Sequence, residues 1–399
     1  MRERGGFAAG NDRLRRMRDV GVHTLRLCAQ DFLLDGVKRD RLPWGGDLAV
    51  SLLADAYVYG DAEIVRRSLS ALDAYSDDVN GIVTYSMWTI ISHDLYQRHF
   101  GDRQFLEDRW WRIKWRIEDL VSRTDPRGFV AKRLDWVFVD WAKPDSQIAP
   151  QMIWKGTLDA AARLADRMGD PRAADYRAMS EKVRAGLDEV AWDDARGVYR
   201  ANYARDGVFG RQANIYAVVF GVADEARAVR TVDARCKDEL PAVGTPYVFG
   251  WELAVFARAG RPKEFFGGLE RVFGAMLGNG ATSFWEGYSA EEAGDDRYGF
   301  YGRKWGKSLC HAWSAWPAFI FAAEALGVRP ASDGWRTYVV NPMLGVGDMR
   351  ATVPTPLGPI DVSVGGKCVT VKGNGGIGTV LWRGRTTTVP ARGEARMAF

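Results

Sequence analysis

The chain has 399 residues, 47% hydrophobic and 27% charged, with a formal net charge of +4. That is enough apolar material for a large core in roughly one to three domains. The charge is too small and too scattered to recommend nucleic acid or an acidic membrane surface as a partner. No window approaches the ~20 apolar residues of a membrane span. The opening MRERGGFAAGND lacks the apolar core of a secretory signal, so the chain reads as cytoplasmic.

The four cysteines, Cys28, Cys236, Cys310 and Cys368, form no CxxC pair and read as buried free thiols. The four histidines include no HExxH, and no zinc or other metal centre is indicated. Tryptophan is abundant at 16 residues. Flat rings that stack on sugars and a big helical core explain it equally well.

In chain order the pattern is helical hairpins separated by short Gly, Asp and Pro breaks. Asn11 can cap NDRLRRMRDVGVHTLRLCAQ, Asp47 and Asp61 read as start signals for the next two helices, and Gly60 as a stop. About nine further apolar-periodic segments follow up to KSLCHAWSAWPAFIFAAEALG. The expectation is a toroid of inner and outer helices over 1–327, with a cleft at one end. After Gly327 the texture becomes short β-branched runs broken by Gly and Pro, which predicts a small C-terminal antiparallel β-sandwich over 328–399.

Three segments break the helical rhythm: 31–47, 127–145 and 279–306. In DFLLDGVKRDRLPWGGD, Asp35, Asp40 and Asp47 are too irregularly spaced for one helix. Arg39 or Arg41 could keep one carboxylate ionised while burial near Trp44 protonates another, which separates an acid from an orienting base. A solvated loop with helix caps fits these residues as well. Glu286, between Trp285 and Gly287, is either a base against an aromatic wall or a carboxylate paired with an arginine at the ring's end. His311, with Trp313 and Trp316, opens a helix and is either a site residue or a satisfied core histidine. RLDWVFVDWAKPD offers Asp135, Trp136, Asp140 and Trp141 in a loop, and Trp88 stands at a helix start. No P-loop, dinucleotide fingerprint or G-x-S-x-G is present.

These stretches together resemble the α-L-rhamnosidases of glycoside hydrolase family 78, in the six-hairpin glycosidase group. DGVKRDRLPWGGD at 35–47 is similar to the family's D-G-x-x-R-[DE]-R-x-x-W-x-G-D, ATSFWE at 281–286 to its A-T-T-x-W-E, and SLCHAWSAWP to its S-x-C-H-x-W-S-A. The resemblance implies an (α/α)6 barrel and hydrolysis of a terminal α-L-rhamnoside with inversion. It places Asp40 at the general acid, Glu286 at the general base, and Asp35, Arg39, Trp44 and Asp47 among the sugar contacts. Trp88, Trp141 and His311 follow as further contacts. An inverting pair stands about 6.5–9.5 Å apart and needs no cofactor.

Many members carry Glu where this chain has Asp40, and others carry Asp. Members also carry β-sandwich domains ahead of the barrel, whereas Asn11 already opens the first helix here, so the barrel is expected to lack that support. The implied partner is a rhamnose-containing glycoside or oligosaccharide, and homo-oligomerisation stays open. Two rivals remain: a six-hairpin hydrolase for another sugar, and a sugar-binding protein of the same fold without turnover.

Overall fold

A computed structural model describes residues 1–131, 137–142, 146–204, 207–237, 240–373 and 375–398. The chain opens with strand β1 (Gly6–Ala9) and then lays down helices in pairs: α1 (Asp12–Cys28), α2 (Gly45–Val58), α3 (Ala62–Asp73), α4 (Val83–Phe100) and α5 (Arg103–Ser122). Next come α6 (Ala149–Met168), α7 (Arg172–Ala191), a short hairpin of β2 (Trp192–Asp193) and β3 (Val198–Tyr199), α8 (Arg211–Val219), α9 (Glu225–Cys236) and α10 (Pro246–Arg258). Helix α11 (Pro262–Leu269) runs through a π turn, Glu270–Gly274, into α12 (Ala275–Gly278). The even helices α2 to α10 pack side by side, and the segment 312–325 closes the ring between α10 and α2. The odd helices lie outside their partners, which is the (α/α)6 toroid.

Local chemistry sets the helix ends. The side chains of Asn11, Asp61 and Asp102 accept N–H groups in the first turns of α1, α3 and α5, and Gly101 and Gly169 stop α4 and α6 in the left-handed region. The inner helices α2, α4 and α6 are buried nearly all round, while α5 and α7 bury one stripe. Asp47 is no cap: Trp44 holds that position, the helix begins at Gly45, and the Asp47 carboxylate is turned inward. The last inner segment is not one α-helix either. Pro317 interrupts it, leaving two 3-10 turns, Ala312–Ser314 and Trp316–Ala318, and a π turn, Phe321–Ala325.

Beyond the ring come β4 (Val328–Pro330), β5 (Thr337–Val340), β6 (Met349–Val353), β7 (Ile360–Gly365), β8 (Cys368–Lys372), β9 (Ile377–Trp382), β10 (Arg385–Val389) and β11 (Glu394–Ala398). They form sheets ordered β1-β6-β7-β8-β11 and β10-β9-β5-β4. Two details depart from the sequence expectation. Strand β1, ahead of the first helix, pairs with β6 and so forms an edge of a C-terminal sheet. The sheets are not wholly antiparallel: β5 and β9 run parallel, because the chain makes β6 to β8 of the other sheet between them. The strands are tied to the ring by Trp335, buried against His99 and Tyr57, and by Arg167, which bonds Asp333 at 2.6 Å and Asp94 at 2.6 Å. Among the described residues no helix is long and apolar enough to cross a membrane.

Close inner packing gives a direct stability test. A Cβ on Gly250 of α10 would lie 1.9 Å from Cε2 of the buried Trp316, whereas one on the exposed, helical Gly267 meets nothing within 4 Å. Gly250→Ala is expected to cost at least about 1–3 kcal/mol through overpacking. Gly267→Ala is expected to leave stability unchanged or raise it by about 0.5–1 kcal/mol. Thermal unfolding of the two variants measures the contrast.

Candidate active site

Ring closure brings the first long connection, 29–44, against the last, 279–311. Gly36 bridges to His311, the Val37 N–H donates to the Cys310 carbonyl at 3.4 Å, and the Ala312 N–H donates to the Asp35 carbonyl at 2.6 Å. Lys38 donates to the carbonyls of Trp305 and Lys307, and Arg39 to that of Gly306 at 2.8 Å. Glycine is required at position 36 by crowding: a Cβ there would stand 2.8 Å from Ser308 Oγ and 2.9 Å from the Cys310 carbonyl oxygen. On the other side of 308–314 lies the ATSFWE stretch. Glu286 N–H donates to Ser308 O at 2.8 Å, His311 N–H to Phe284 O at 3.0 Å, Trp313 Nε1 to Glu286 O at 2.9 Å and Ser314 Oγ to Trp285 O at 2.6 Å. Glu286 is therefore fixed at its backbone before its side chain makes any contact.

A cavity of about 280 Å³ opens on this seam. Asp35, Arg39, Asp40, Trp44, Asp47, Glu286 and His311 line it, together with Trp141 and the aromatic residues Tyr85, Phe138, Tyr301 and Trp313. Phe138 and Trp313 stack with ring centres 6.0 Å apart and an interplanar angle of 3°, and Trp141 meets Tyr301 edge-on at 5.5 Å. The loop bearing Phe138 and Trp141 is held by Asp140, which accepts from Gly244 N–H at 2.8 Å, Thr245 Oγ1 at 2.8 Å and Gln212 Nε2 at 3.1 Å. Asp140 thus anchors the wall rather than facing the cavity.

The two proposed catalytic carboxylates sit in opposite surroundings. Glu286 is almost wholly buried. Its Oε1 accepts from Arg39 and from Tyr301 Oη at 2.9 Å, and its Oε2 from Ser308 N–H at 3.1 Å. The Arg39 guanidinium also lies over the Tyr301 ring, 4.6 Å from its centre. A buried carboxylate with a guanidinium and two further donors is held in a fixed orientation. Asp40 is exposed on the rim and makes no hydrogen bond or ion pair with the described residues. It and Arg41 both adopt left-handed backbone, at φ 58° and 52°, a costly geometry for side-chain-bearing residues that is found at functional turns.

The same cavity is lined by a cluster of Asp35, Asp47 and His311. Asp47 Oδ2 accepts from Tyr85 Oη at 3.2 Å, and its Oδ1 lies 3.3 Å from His311 Nε2, near enough for an ion pair but not aligned as a hydrogen bond. Burial disfavours the His311 imidazolium, but Asp47, Glu286 and Asp35 outweigh it and raise its pKa above the ordinary value. Burial also pushes Asp35 up to about 7, with Asp47 adding to the rise and His311 and the Leu42 N–H opposing it. Neither ring nitrogen of His311 is hydrogen-bonded, nor is Asp47 Oδ1, so buried polar atoms are left for a ligand.

Of the residues singled out in the sequence, Asp35, Arg39, Asp40, Trp44, Asp47, Trp141, Glu286 and His311 meet at one cavity. Trp88 does not join them. It lies one helical turn beyond Tyr85 on α4, fully buried, stacked on Trp251 at 5.5 Å and edge-on to Tyr216 and Tyr247. Asp135 and Trp136 lie outside the described residues. Tyr85, Phe138 and Tyr301 were missed. Tyr85 shares the YSMWT segment with Trp88, and the helical period alone decides which of the two reaches the cleft.

The fold has known counterparts. The family model for the bacterial alpha-L-rhamnosidase 6 hairpin glycosidase domain matches residues 2–323, and the chain belongs to that family. The sequence matches no curated protein. Among solved structures it is similar to a GH78 family rhamnosidase of Bacillus sp. GL1, with 24% identity over 96% of this chain and 43% of that one and a TM-score of 0.81. It is also similar to a rhamnosidase from Klebsiella oxytoca with rhamnose bound, with 26% identity over 79% and 64% of the two chains and a TM-score of 0.72. For a Streptomyces avermitilis alpha-L-rhamnosidase complexed with L-rhamnose the identity is 19%, the coverage 94% and 38%, and the TM-score 0.75. The chain spans less than two thirds of the length of each.

The acidic cluster carries a pH signature. A carboxyl whose pKa rises from 3.8 to about 7 on folding binds its proton more tightly in the folded state, so its stabilising contribution is complete below pH 3.8 and is lost as pH rises to about 7. The raised His311 pKa acts in the same direction near neutrality. Asp35→Asn is expected to flatten the fall in melting temperature between pH 4 and 7 by several degrees. Unfolding midpoints of wild type and variant across that range provide the measurement.

Proposed function

We propose that the chain is an exo-acting glycoside hydrolase that removes terminal α-L-rhamnose from glycosides or oligosaccharides with inversion, Asp40 serving as general acid and Glu286 as general base. The observation that carries this reading is a buried carboxylate clamped by Arg39, Tyr301 and Ser308 N–H facing the same small cavity as an unpartnered rim carboxylate, Asp40. About 280 Å³ suits one sugar ring rather than a run of them. Trp44, Phe138 and Trp313 offer apolar faces for the ring and the C6 methyl of a deoxy sugar, while Asp35, Asp47 and His311 offer partners for hydroxyls. Membership of the rhamnosidase family and the rhamnose bound to two of the similar structures point the same way.

In this mechanism Asp40 passes its proton to the glycosidic oxygen as the bond to the anomeric carbon lengthens. Glu286 takes a proton from a water attacking that carbon from the opposite face. Arg39 and Tyr301 hold the Glu286 carboxylate in one orientation, so that the base is set before substrate arrives. The rim position of Asp40 suits an acid that must reach a leaving group on the solvent side.

Asp35 supports a second assignment. Its carboxyl, pushed up to about 7, also lines the cavity and has a proton to give near neutral pH. Leaving-group dependence separates the two, because losing the acid matters least when the leaving group departs without a proton. Asp40→Asn is expected to lower kcat/KM about 10²–10⁴-fold on a rhamnoside with an alkyl or sugar leaving group and far less on a dinitrophenyl one. Glu286→Gln is expected to lose a similar factor on both. If Asp35→Asn gives the leaving-group-dependent loss and Asp40→Asn does not, the acid role passes to Asp35. If another aryl glycoside is cleaved while the rhamnoside is untouched, the sugar assignment is wrong.

A further inference from the structure

The seam that builds the cavity also holds two thiols that the proposed reaction does not use. Cys28 is the last residue of α1, and Cys310 immediately precedes His311. Both are buried, and their sulfurs lie 3.9 Å apart across 282 positions of sequence. They form a small apolar cluster of their own with Ala312 and Val37.

We propose that Cys28 and Cys310 are a disulfide-forming pair whose oxidation staples the start of the 29–44 connection to the segment carrying Ser308 and His311. The contact is direct, and each cysteine's backbone is already part of the seam. The Cys28 carbonyl accepts the Leu34 N–H at 2.9 Å, opening the segment that carries Asp35, Arg39 and Asp40. The Cys310 carbonyl accepts from Val37 N–H at 3.4 Å and from Ser308 Oγ at 3.0 Å. Bonding requires the sulfurs to close to about 2.0 Å, a shift that side-chain rotation at a helix terminus and in a non-helical segment can supply. The sulfurs also differ in character. The thiol of Cys28 and, more weakly, the charge of His311 hold the Cys310 pKa below its usual value, while the same contact and burial raise that of Cys28. Cys310, 6% exposed where Cys28 is fully covered, is also the sulfur that an oxidant reaches first, so it is the attacking sulfur and Cys28 the resolving one.

With a peroxide as oxidant the step balances. The Cys310 thiolate attacks one peroxide oxygen, the O–O bond breaks, and the departing hydroxide takes up the thiol's proton as water, leaving a sulfenic acid. The Cys28 sulfur then attacks Sγ of Cys310, the S–O bond breaks, and hydroxide leaves with the Cys28 proton as a second water. Two thiols are oxidised, and one peroxide is reduced to two waters. No other pair of described cysteines makes such a contact. Cys368 instead sits partly exposed beside Arg396, whose Nε is 3.2 Å from its sulfur, and serves as an internal monitor of oxidant delivery.

The experiment treats the folded wild-type protein with dilute hydrogen peroxide, alkylates remaining thiols after denaturation, and maps tryptic peptides by mass spectrometry. The expected product is the peptide beginning at Leu27 joined to the one beginning at Ser308, lighter by two hydrogens, released by dithiothreitol and absent from Cys28→Ala. The oxidised wild type is expected to melt several degrees higher than the reduced form, as closing so long a loop predicts. Complete alkylation of Cys28 and Cys310 under conditions that oxidise Cys368 would overturn the proposal. A linked peptide with no rise in melting temperature would overturn the stapling role. The wild-type arm decides both points without depending on how the variant folds.

Discussion

The Arg39–Glu286 ion pair is the contact on which the cavity depends. It joins a side chain from the first long connection to one from the last, positions 247 apart in sequence. Those connections are neighbours only because the helical ring closes on itself. Glu286 is buried while Arg39 reaches partly into solvent, so losing the guanidinium would leave a buried carboxylate without its ion-pair partner. The pair therefore couples folding to site assembly: until the final inner segment docks between α10 and α2, neither the base nor its clamp has a place to sit. The Lys38 and Arg39 bonds to carbonyls of 305–307 and the Gly36–His311 bridge strengthen the same seam.

Placing the site on a seam also explains the division of labour around it. The two meeting connections supply charge: Asp35, Arg39 and Asp40 from one, Glu286 and His311 from the other. Residues from the next positions around the ring, Tyr85 on α4 and the 137–142 loop, extend the apolar wall begun by Trp44, Tyr301 and Trp313. The aromatic contacts run continuously from Tyr301 through Trp141 and Phe138 to Trp313 and Tyr247, so the wall is braced by ring packing as well as by the bond from Tyr301 to Glu286. A cleft built in this way can change its sugar contacts without disturbing the ring that frames it.

Much of this was legible in the sequence because it was written locally. Caps at Asn11 and Asp61, stops such as Gly60 and the 3.6-residue apolar period are short-range signals, and they located the helices. The charged motifs at 35–47 and 281–286 stood out because Gly, Pro and Trp interrupt them. What escaped depends on distant partners. Strand β1 is only GFAA, and its partner, Met349–Val353, lies at the far end of the chain. Trp88 and Tyr85 stand three residues apart on one helix, and only the pitch of α4 within the ring sends one into the core and the other to the cavity. Asp47 has the side chain of a cap, yet the helix starts two residues earlier and its carboxylate answers to Tyr85 and His311 instead.

The stereochemistry of the first product tests the central claim most directly, because the proposed acid at Asp40 and water-activating base at Glu286 would deliver water to one face of the sugar only. An aryl α-L-rhamnoside would be hydrolysed in an NMR tube and the anomeric proton followed before mutarotation. β-L-rhamnose appearing first is the result expected of Asp40 and Glu286 acting as an inverting pair. α-L-rhamnose appearing first would contradict it.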